Sequence, residues 1–569
     1  MLTHYTYHME ALDHTAAHIL AQAVKRLFPN AKLGIGSASE TGFFYDFDAD
    51  ISEKDLPKIE KEMYKIIKED IPVVRKEVTK EQAKSLFKDE PYKLEILKDL
   101  EPPITIYEQG DFVDLCKGPH VSSTGKVKAV KLLSVSGAYW KGNKDNKQLV
   151  RIRGVAFPSK KDLENYLKRI EEASKRDHRR IGKALDLFSL KEEAVGMPFF
   201  HPKGWSIFLE LVNFMREINK KYGFQEVRTP MMMSKELWKR SGHWDHYKEN
   251  MFVVEGGEYA IKPMNCPGHI LLYSSRPRSY KELPIRYAEF TPLHRNEIRG
   301  TLHGLMRVTE LSQDDAHVFL REDQLQEEIN RLINLIKEVY SVFGMEPKPV
   351  LSTRPDDFMG DVKVWDKAEK ELKSALDKSG LDYTIEEGEG AFYGPKIDFI
   401  IEDALGRKRQ TATIQLDFQL PERFGLEYEG PNKKGRPIMI HRAVLGSIER
   451  FMGIMIEHYA GKFPIWLAPV QAIVLPITDA VKDYALDVYT RIKNDLRTEV
   501  NLEPETLNKK IRNAQLQNIP FIIVVGNREK ENNTISIRTL DGNTKTMPIE
   551  EFLSKAKSLI NKRVNSYTW

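Results

Sequence analysis

Cysteine is scarce: 569 residues contain two, Cys116 and Cys266, each a few positions from a histidine. One bridge at most is available, so a disulfide-stapled secreted fold is excluded and a reducing, cytoplasmic setting is expected. No apolar run reaches bilayer-crossing length, and Met1-Leu2-Thr3-His4-Tyr5 does not lead from a basic stretch into an apolar one. Neither a membrane span nor a secretory leader is expected. Charge of one sign is lacking too: 87 basic against 83 acidic residues leave a formal +4. That balance permits local contact with a polyanion but does not identify one. The absence of a Gly-x-x-x-x-Gly-Lys-Ser/Thr loop excludes a P-loop enzyme. Low-complexity tracts and internal repeats are missing as well.

What is present is an ordinary globular composition, 41% hydrophobic and 30% charged, over a length that fits three or four domains. Residues 1–160 mix helices with short strands. A first helix carries His14, His18 and the run Leu20 to Phe28, and ends at Pro29-Asn30. Ile104-Thr105-Ile106-Tyr107 and Leu149-Val150-Arg151-Ile152 read as strands. Residues 161–190 form a linker, with one long helix from Asp162 to about Leu185. Lys168, Arg169, Lys175, Arg176, Arg179, Arg180 and Lys183 make it basic, either as a solvated strut or as a surface touching nucleic acid. From 191 to 465, long helices alternate with β-rich strands. Ile207, Phe208, Leu211, Val212, Met215 and Ile218 make an apolar helix face closed by Gly223, and Phe224 to Thr229 reads as a strand ending at Pro230. Residues 466–569 read as strand Val470 to Ile477, a helix to Ile492, a helix Leu507 to Leu516 and strand Phe521 to Val525. This alternation implies a small, mostly parallel α/β domain.

Three distant segments carry candidate metal ligands: Met264-Asn265-Cys266-Pro267-Gly268-His269, Gln313-Asp314-Asp315-Ala316-His317 and Ile440-His441-Arg442. One thiolate and two imidazoles suit Zn²⁺ and leave a fourth position for a substrate. Singly, Cys266 reads as a small buried hydrophobe and each histidine as a satisfied structural side chain. Beside them lie Arg295-Asn296-Glu297, a Gly300 to Gly304 turn followed by Arg307, and Gly446-Ser447-Ile448-Glu449-Arg450-Phe451. Arginine's planar, permanently charged fork grips phosphate or carboxylate bidentately. Together these segments resemble the signature motifs of class II aminoacyl-tRNA synthetases, and the Cys/His/His set singles out the threonyl-tRNA synthetase family. The His-x-Gly-His and Lys-Met-Ser-Lys-Ser signatures of the other synthetase class are absent.

The resemblance covers nearly the whole chain and implies an α+β and α/β multidomain protein. Its parts are an N-terminal α+β editing domain, a central catalytic domain on an antiparallel sheet, and a C-terminal α/β anticodon-binding domain. On the same resemblance, the small extra domain that many bacterial relatives carry in front is not expected here. The implied reaction activates L-threonine with ATP and Mg²⁺ to threonyl-adenylate, then transfers it to the 3′ end of tRNA(Thr). Motif 1, around Tyr222 to Pro230, implies a homodimer. By the same resemblance Arg295 touches the α-phosphate and amino-acid carboxylate, Glu297 takes the adenine amino group and Arg307 clamps the distal phosphates. Arg450, Ser447, Lys396, Gln410 and Thr413 complete the nucleotide side. Met264, Gln313, Asp315, Tyr393 and Gln415 form the threonine pocket, with Cys266, His317 and His441 holding zinc. Leu311 stands where the family has a phenylalanine stacked on adenine, and offers an apolar shelf instead.

The physics favours such a metal. Threonine and valine nearly share a shape, and a site built for a hydroxyl rejects its absence by up to about 10⁴–10⁵-fold. Serine lacks only a methyl, worth roughly 10- to 200-fold, which calls for a second, hydrolytic site. His14-Thr15-Ala16-Ala17-His18 puts two imidazoles on one helix face, and Cys116-Lys117-Gly118-Pro119-His120 adds a thiol and a third. With Lys93 and Asp114 these resemble the family's editing site for seryl-tRNA(Thr); on donor chemistry alone the same set could equally bind zinc. In the last domain Glu529 and Arg538 match positions that contact anticodon bases. The family's Asp-x-Arg-Asn-Glu stretch appears here as Leu502-Glu503-Pro504-Glu505, and Asn518 stands where relatives carry a basic residue.

Overall fold

A helix whose apolar positions recur on one side needs a sheet to cover it, and the first helix, α1 (Leu2–Leu27), finds one in β1 (Lys32–Ser39) and β2 (Gly42–Asp48). Leu12, Ala16, Ile19, Leu20, Ala23 and Val24 of α1 are fully buried against Leu33, Phe43, Tyr45 and Phe47. The computed structural model describes residues 2–39, 42–143 and 145–567. They fall into two compact units that divide between Glu171 and Glu172. In the first unit follow α2 (Leu56–Glu69), β3 (Val73–Val78), α3 (Lys80–Leu86), α4 (Pro91–Lys98), β4 (Ile104–Gln109), β5 (Phe112–Leu115), β6 (Ala129–Tyr139) and β7 (Gln148–Phe157). They make a four-stranded sheet in the order β1-β2-β7-β6 and a three-stranded one, β3-β4-β5.

The expected long linker helix is two helices, α5 (Lys160–Lys175) and α6 (His178–Ala184). Asp177 breaks the run: its backbone leaves the helical region, with ψ 121°, and its side chain accepts from Arg179 N, the N-cap arrangement that starts a new helix.

The second unit is built on an eight-stranded sheet: β8 (Gln225–Glu226), β9 (Ile285–Glu289), β12 (Asp315–Leu320), β17 (Ile438–Ala443), β16 (Lys408–Asp417), β15 (Lys396–Glu402), β13 (Lys348–Ser352) and β14 (Thr384–Glu386), in that spatial order. The numbers missing from that row, β10 (Pro292–His294) and β11 (Glu310–Ser312), pair as a separate hairpin. Only the outermost pairs are parallel. One face, with Ala316, Val318, Ile440, Ile414, Leu416, Ile397 and Phe399, is covered by α7 (Pro202–Lys221), α9 (Leu325–Val342), α10 (Val362–Ser379) and α11 (Ile448–His458). Neighbours along a strand alternate faces, so the intervening residues look the other way, over α8 (Cys266–Tyr273).

The strand expected over 224–229 shrinks to β8. Beyond Val227 the chain leaves the ladder, because Thr229 N donates to the buried Glu289 carboxylate instead. In the C-terminal part, β18 (Ala472–Pro476), α12 (Lys482–Ile492), β19 (Thr498–Val500), α13 (Leu507–Leu516), β20 (Phe521–Val525), β21 (Thr534–Thr539) and β22 (Thr544–Pro548) give the order β19-β18-β20-β21-β22. Three strands are parallel, but β21 and β22 return antiparallel, so the expected mostly parallel sheet is mixed.

Candidate active sites

Strand register assembles the central site. Across five strands Tyr287, His317, His441, Gln415 and Lys396 stand opposite one another in a single row. Directly paired residues share a face, and Asp315, Asp417, Thr413 and Asp398 extend the row on that same face. Gln410 has the wrong parity for it, but a bulge between Phe399 and Ile400 re-pairs Ile400 with Gln410 and returns it to the face of Asp398 and Thr413.

Cys266, first residue of α8, reaches this face. The ligand atoms of Cys266, His317 and His441 lie within 4.8 Å of one another, and all three residues are buried. Their outer partners fix the tautomers. His441 Nε2 meets Asp417 Oδ2 at 2.9 Å. His269 Nε2 meets Glu289 Oε2 at 3.0 Å, and His269 Nδ1 meets His317 Nδ1 at 2.7 Å. Carboxylates accept, so His441 and His269 carry protons on Nε2; His269 Nδ1 then accepts from His317 Nδ1. That leaves the lone pairs of His317 Nε2 and His441 Nδ1 facing each other across 3.0 Å, beside a thiol. Lone pairs so placed repel unless a cation lies among them, and carboxylate-backed imidazoles are how proteins present histidine to a metal. Burial pushes the Cys266 thiol well up and the His317 imidazole well down, so both rest neutral without a cation beside them.

Around this centre Asn265 Nδ2 donates to Asp315 Oδ2 at 3.0 Å, the Tyr393 ring lies 5.2 Å from His441, and Gln415 Nε2 donates to Gly394 O at 3.1 Å. Met264 Sδ is 3.2 Å from His243 Nε2. Gln313 bridges to Ser447, whose hydroxyl caps α11 by accepting from Arg450 N. Arg295 Nε donates to Pro263 O at 3.3 Å. Lys396 pairs with Asp398 at 2.6 Å, and Thr413 Oγ1 donates to the same carboxylate at 2.7 Å. Arg307 and Glu297 are paired with each other at 2.7 Å. Burial, then the positive charges of Arg409 and Arg307, lower the pKa of Arg450. Leu311 is buried between Leu293 and Val308.

Sequence reading missed His243, Asp417, and the His269–Glu289 pair. His243 is fully buried against Met264, and burial holds it at about 3. The only local signal was His269 three residues after Cys266.

The first unit brings its predicted set together as well. His120 is the hub: its ring centroid lies 4.3 Å from that of His18, 5.5 Å from that of His14 and 4.2 Å from that of Tyr107. Cys116 Sγ is 3.3 Å from His120 Nε2. Thr15 spends its hydroxyl proton on Ala11 O, so it accepts from His120 Nδ1 at 3.2 Å and fixes the Nε2 lone pair toward the thiol. Lys93 and Asp114 form a buried ion pair at 2.5 Å, and Asp114 also takes Tyr45 OH at 2.6 Å and faces His18 Nε2 at 3.5 Å. Burial lowers the pKa of His14, His18 and His120, the last to about 2, so the pocket is lined by neutral imidazoles. His14, Cys116 and His120 also place donor atoms within 4.8 Å of one another.

Beside the C-terminal sheet, in the short helix Asn527–Asn532, Glu529 accepts from Gly526 N at 2.9 Å and from Ser536 Oγ at 3.0 Å. Arg538 stands two residues along β21 from Ser536, with its Nε buried and without a hydrogen-bond partner.

Comparison with known proteins follows this division. Residues 251–459 match the tRNA synthetase class II core domain (G, H, P, S and T), 471–559 the anticodon binding domain, and 104–153 the threonyl and alanyl tRNA synthetase second additional domain. The threonine–tRNA ligases of Thermotoga neapolitana and Clostridium kluyveri are each 53% identical over 97% of this chain, which spans 88% and 89% of theirs. Among solved structures, the RNA binding domain of threonyl-tRNA synthetase from Cryptosporidium parvum superposes with a TM-score of 0.66 at 41% identity, covering 67% of this chain and 98% of that one. A putative threonyl-tRNA synthetase from Aeropyrum pernix gives 0.60 at 30% identity over 68% and 96%.

Proposed function

The chain belongs to the threonine–tRNA ligase family, and on that premise we propose how its residues divide the work. It is an ATP-dependent ligase that charges tRNA with threonine and carries an editing domain. In our reading residues 1–160 edit, 161–190 link, 191–465 catalyse and 466–569 read the anticodon. Mg²⁺ accompanies ATP, the active form is a cytoplasmic homodimer paired through the segment Tyr222 to Pro230, and the cognate RNA is tRNA(Thr). No helix among the described residues is long and apolar enough to cross a membrane.

Cys266, His317 and His441 would hold one Zn²⁺, which when bound would supply a Lewis acid to the amino and hydroxyl groups of threonine. The observation that carries this is the pair of imidazole lone pairs facing each other beside a buried thiol. Asp315, anchored by Asn265, accepts the substrate hydroxyl, while Gln313, Tyr393, Gln415 and Met264 shape the pocket. Arg295 bridges the α-phosphate and the threonine carboxylate. ATP separates Glu297 from Arg307, giving the carboxylate to the adenine amino group and the guanidinium to the distal phosphates. Lys396, Gln410, Thr413, Ser447 and Arg450 line the rest. Position and electrostatics supply the rate, since adenylation asks little covalent chemistry of the protein.

In the editing pocket the neutral imidazoles of His14, His18 and His120, with Cys116, hold the water that attacks seryl-tRNA, and Lys93 and Asp114 fix the wall behind them. Glu529 and Arg538 meet anticodon bases. The test is zinc content measured together with threonine-dependent ATP–pyrophosphate exchange, on the native chain and on Cys266→Ser. One zinc per chain with exchange, and loss of both in the variant without unfolding, is expected. Normal threonine activation in a zinc-free preparation would overturn the reading.

A further inference from the structure

A third cluster, outside every residue assigned above, joins α6 to both nucleotide-binding motifs. His178 is fully buried, and both its ring nitrogens are engaged. Nε2 accepts from Leu305 N at 3.0 Å, in the turn between Gly304 and Arg307. An acceptor nitrogen carries no proton, so the proton is on Nδ1, which donates to Glu457 Oε1 of α11 at 2.7 Å. The other oxygen of Glu457 takes Arg407. Asp177, His178 and Glu457 together have the spacing of a metal site. With both imidazole nitrogens already committed, however, no lone pair is left for an ion.

The contact was built into the turn. Gly304 has a left-handed backbone, φ +53°, and a Cβ there would lie 2.1 Å from His178 Nε2. Any side chain at 304 would expel the imidazole. The turn is otherwise closed by Met306 N to His303 O at 2.9 Å and His303 N to Arg307 O at 3.1 Å. Leu305 is therefore pinned from below by His178, and Arg307 emerges two residues later.

We propose that His178 is a positioning residue for ATP: it locks the turn 303–307 onto α11, so that Arg307 and Arg450 are held in register as one phosphate clamp. The inference rests on the nucleotide roles given to those two arginines. It makes α6 part of the catalytic machinery, although the sequence marks that segment only as linker.

Two isosteres separate the two hydrogen bonds. His178→Gln keeps an acceptor where Nε2 stood, and His178→Asn keeps only the donor toward Glu457. Both are measured by threonine-dependent ATP–pyrophosphate exchange, with KM determined for ATP and for threonine, alongside zinc content and thermal melting. His178→Asn should raise KM for ATP about tenfold, the worth of one buried hydrogen bond. KM for threonine and the zinc should stay unchanged, and His178→Gln should restore most of the loss. Gly304→Ala should reproduce the Asn phenotype from the other side of the contact. Unchanged KM for ATP in folded His178→Asn overturns the inference, as does an equal loss for both substrates that Gln does not rescue. Wild-type exchange that ignores threonine would instead sink the ligase reading itself, so the two failures are distinguishable.

Discussion

Replacing Asp417 by Asn tests the proposed metal centre without touching a proposed ligand. Asp417 has two jobs on separate oxygens. Oδ1 accepts from Gln419 N at 2.7 Å and Leu420 N at 3.0 Å and starts the short helix Gln419–Arg423; Oδ2 accepts from His441 Nε2 at 2.9 Å. An asparagine keeps the carbonyl oxygen for the helix but turns an amide N–H toward the imidazole N–H. Two donors then face each other in a site where Asp417 is fully buried and His441 7% exposed. The imidazole escapes by moving its proton to Nδ1, the nitrogen turned toward His317 and Cys266, and the lone pair meant for the ion is lost. Removing such a supporting partner costs metal affinity about 10- to 100-fold, or roughly 1.4–2.7 kcal/mol. The assay is competition for zinc with a chromogenic chelator, with thermal melting of the metal-free forms as the control for folding. Zinc affinity equal to wild type in a folded Asp417→Asn protein would refute the tautomer argument and reduce Asp417 to a helix cap.

Arg450→Ala should depress pyrophosphate exchange while leaving zinc content and melting unchanged, because its guanidinium is assigned to ATP alone; unchanged exchange would show that this helix start has been misread. Truncating His18 and His120 together to Ala should leave threonine charging near normal while seryl-tRNA accumulates, and full deacylation by that variant would make these imidazoles structural. Chelator sensitivity of deacylation separates the water reading from a metal held by His14, Cys116 and His120. Asp13 predicts a pH effect: burial raises its carboxyl from 3.8 to about 7, and Oδ1 has no hydrogen-bond partner. The folded chain thus holds a proton that the unfolded chain releases, so stability falls as pH rises from about 4 to about 7, by up to about 1.4 kcal/mol per unit, and levels off above. Asp13→Asn should flatten that slope in thermal melts, and an identical slope in the variant would rule Asp13 out.

Some of this was legible in the chain. His14 and His18 announced a shared face because helical spacing is local, whereas Cys266, His317 and His441 stood out only as a set inside the motif frame, through the family resemblance. Their convergence could not be read, since it depends on which strands neighbour each other and in what register. Asp417 and Glu289 were invisible for the same reason: a carboxylate behind an imidazole leaves no spacing in sequence. Gln410 was placed by resemblance, whereas simple alternation would have put it on the wrong face; the bulge that rescues it has no glycine to betray it. Asp177 was a readable signal passed over, an N-cap residue in the middle of an apparently continuous helix. His178 was not singled out at all, because its partners lie 127 and 279 residues away.

The row of side chains across the central sheet has a consequence for how the chain matures. His317 and His441 are 124 residues apart and meet only if their strands pair in one register. A slip of a single residue would turn either imidazole to the helical face and abolish the pocket. An ion held by the proposed ligand set would bind the native pairing and no other, and so would act as an inspector of the sheet during folding. At a thousand times its dissociation constant it would favour the correctly aligned chain by about 4 kcal/mol. Zinc supply during synthesis would then set the yield of correctly paired chains as well as the activity of finished ones.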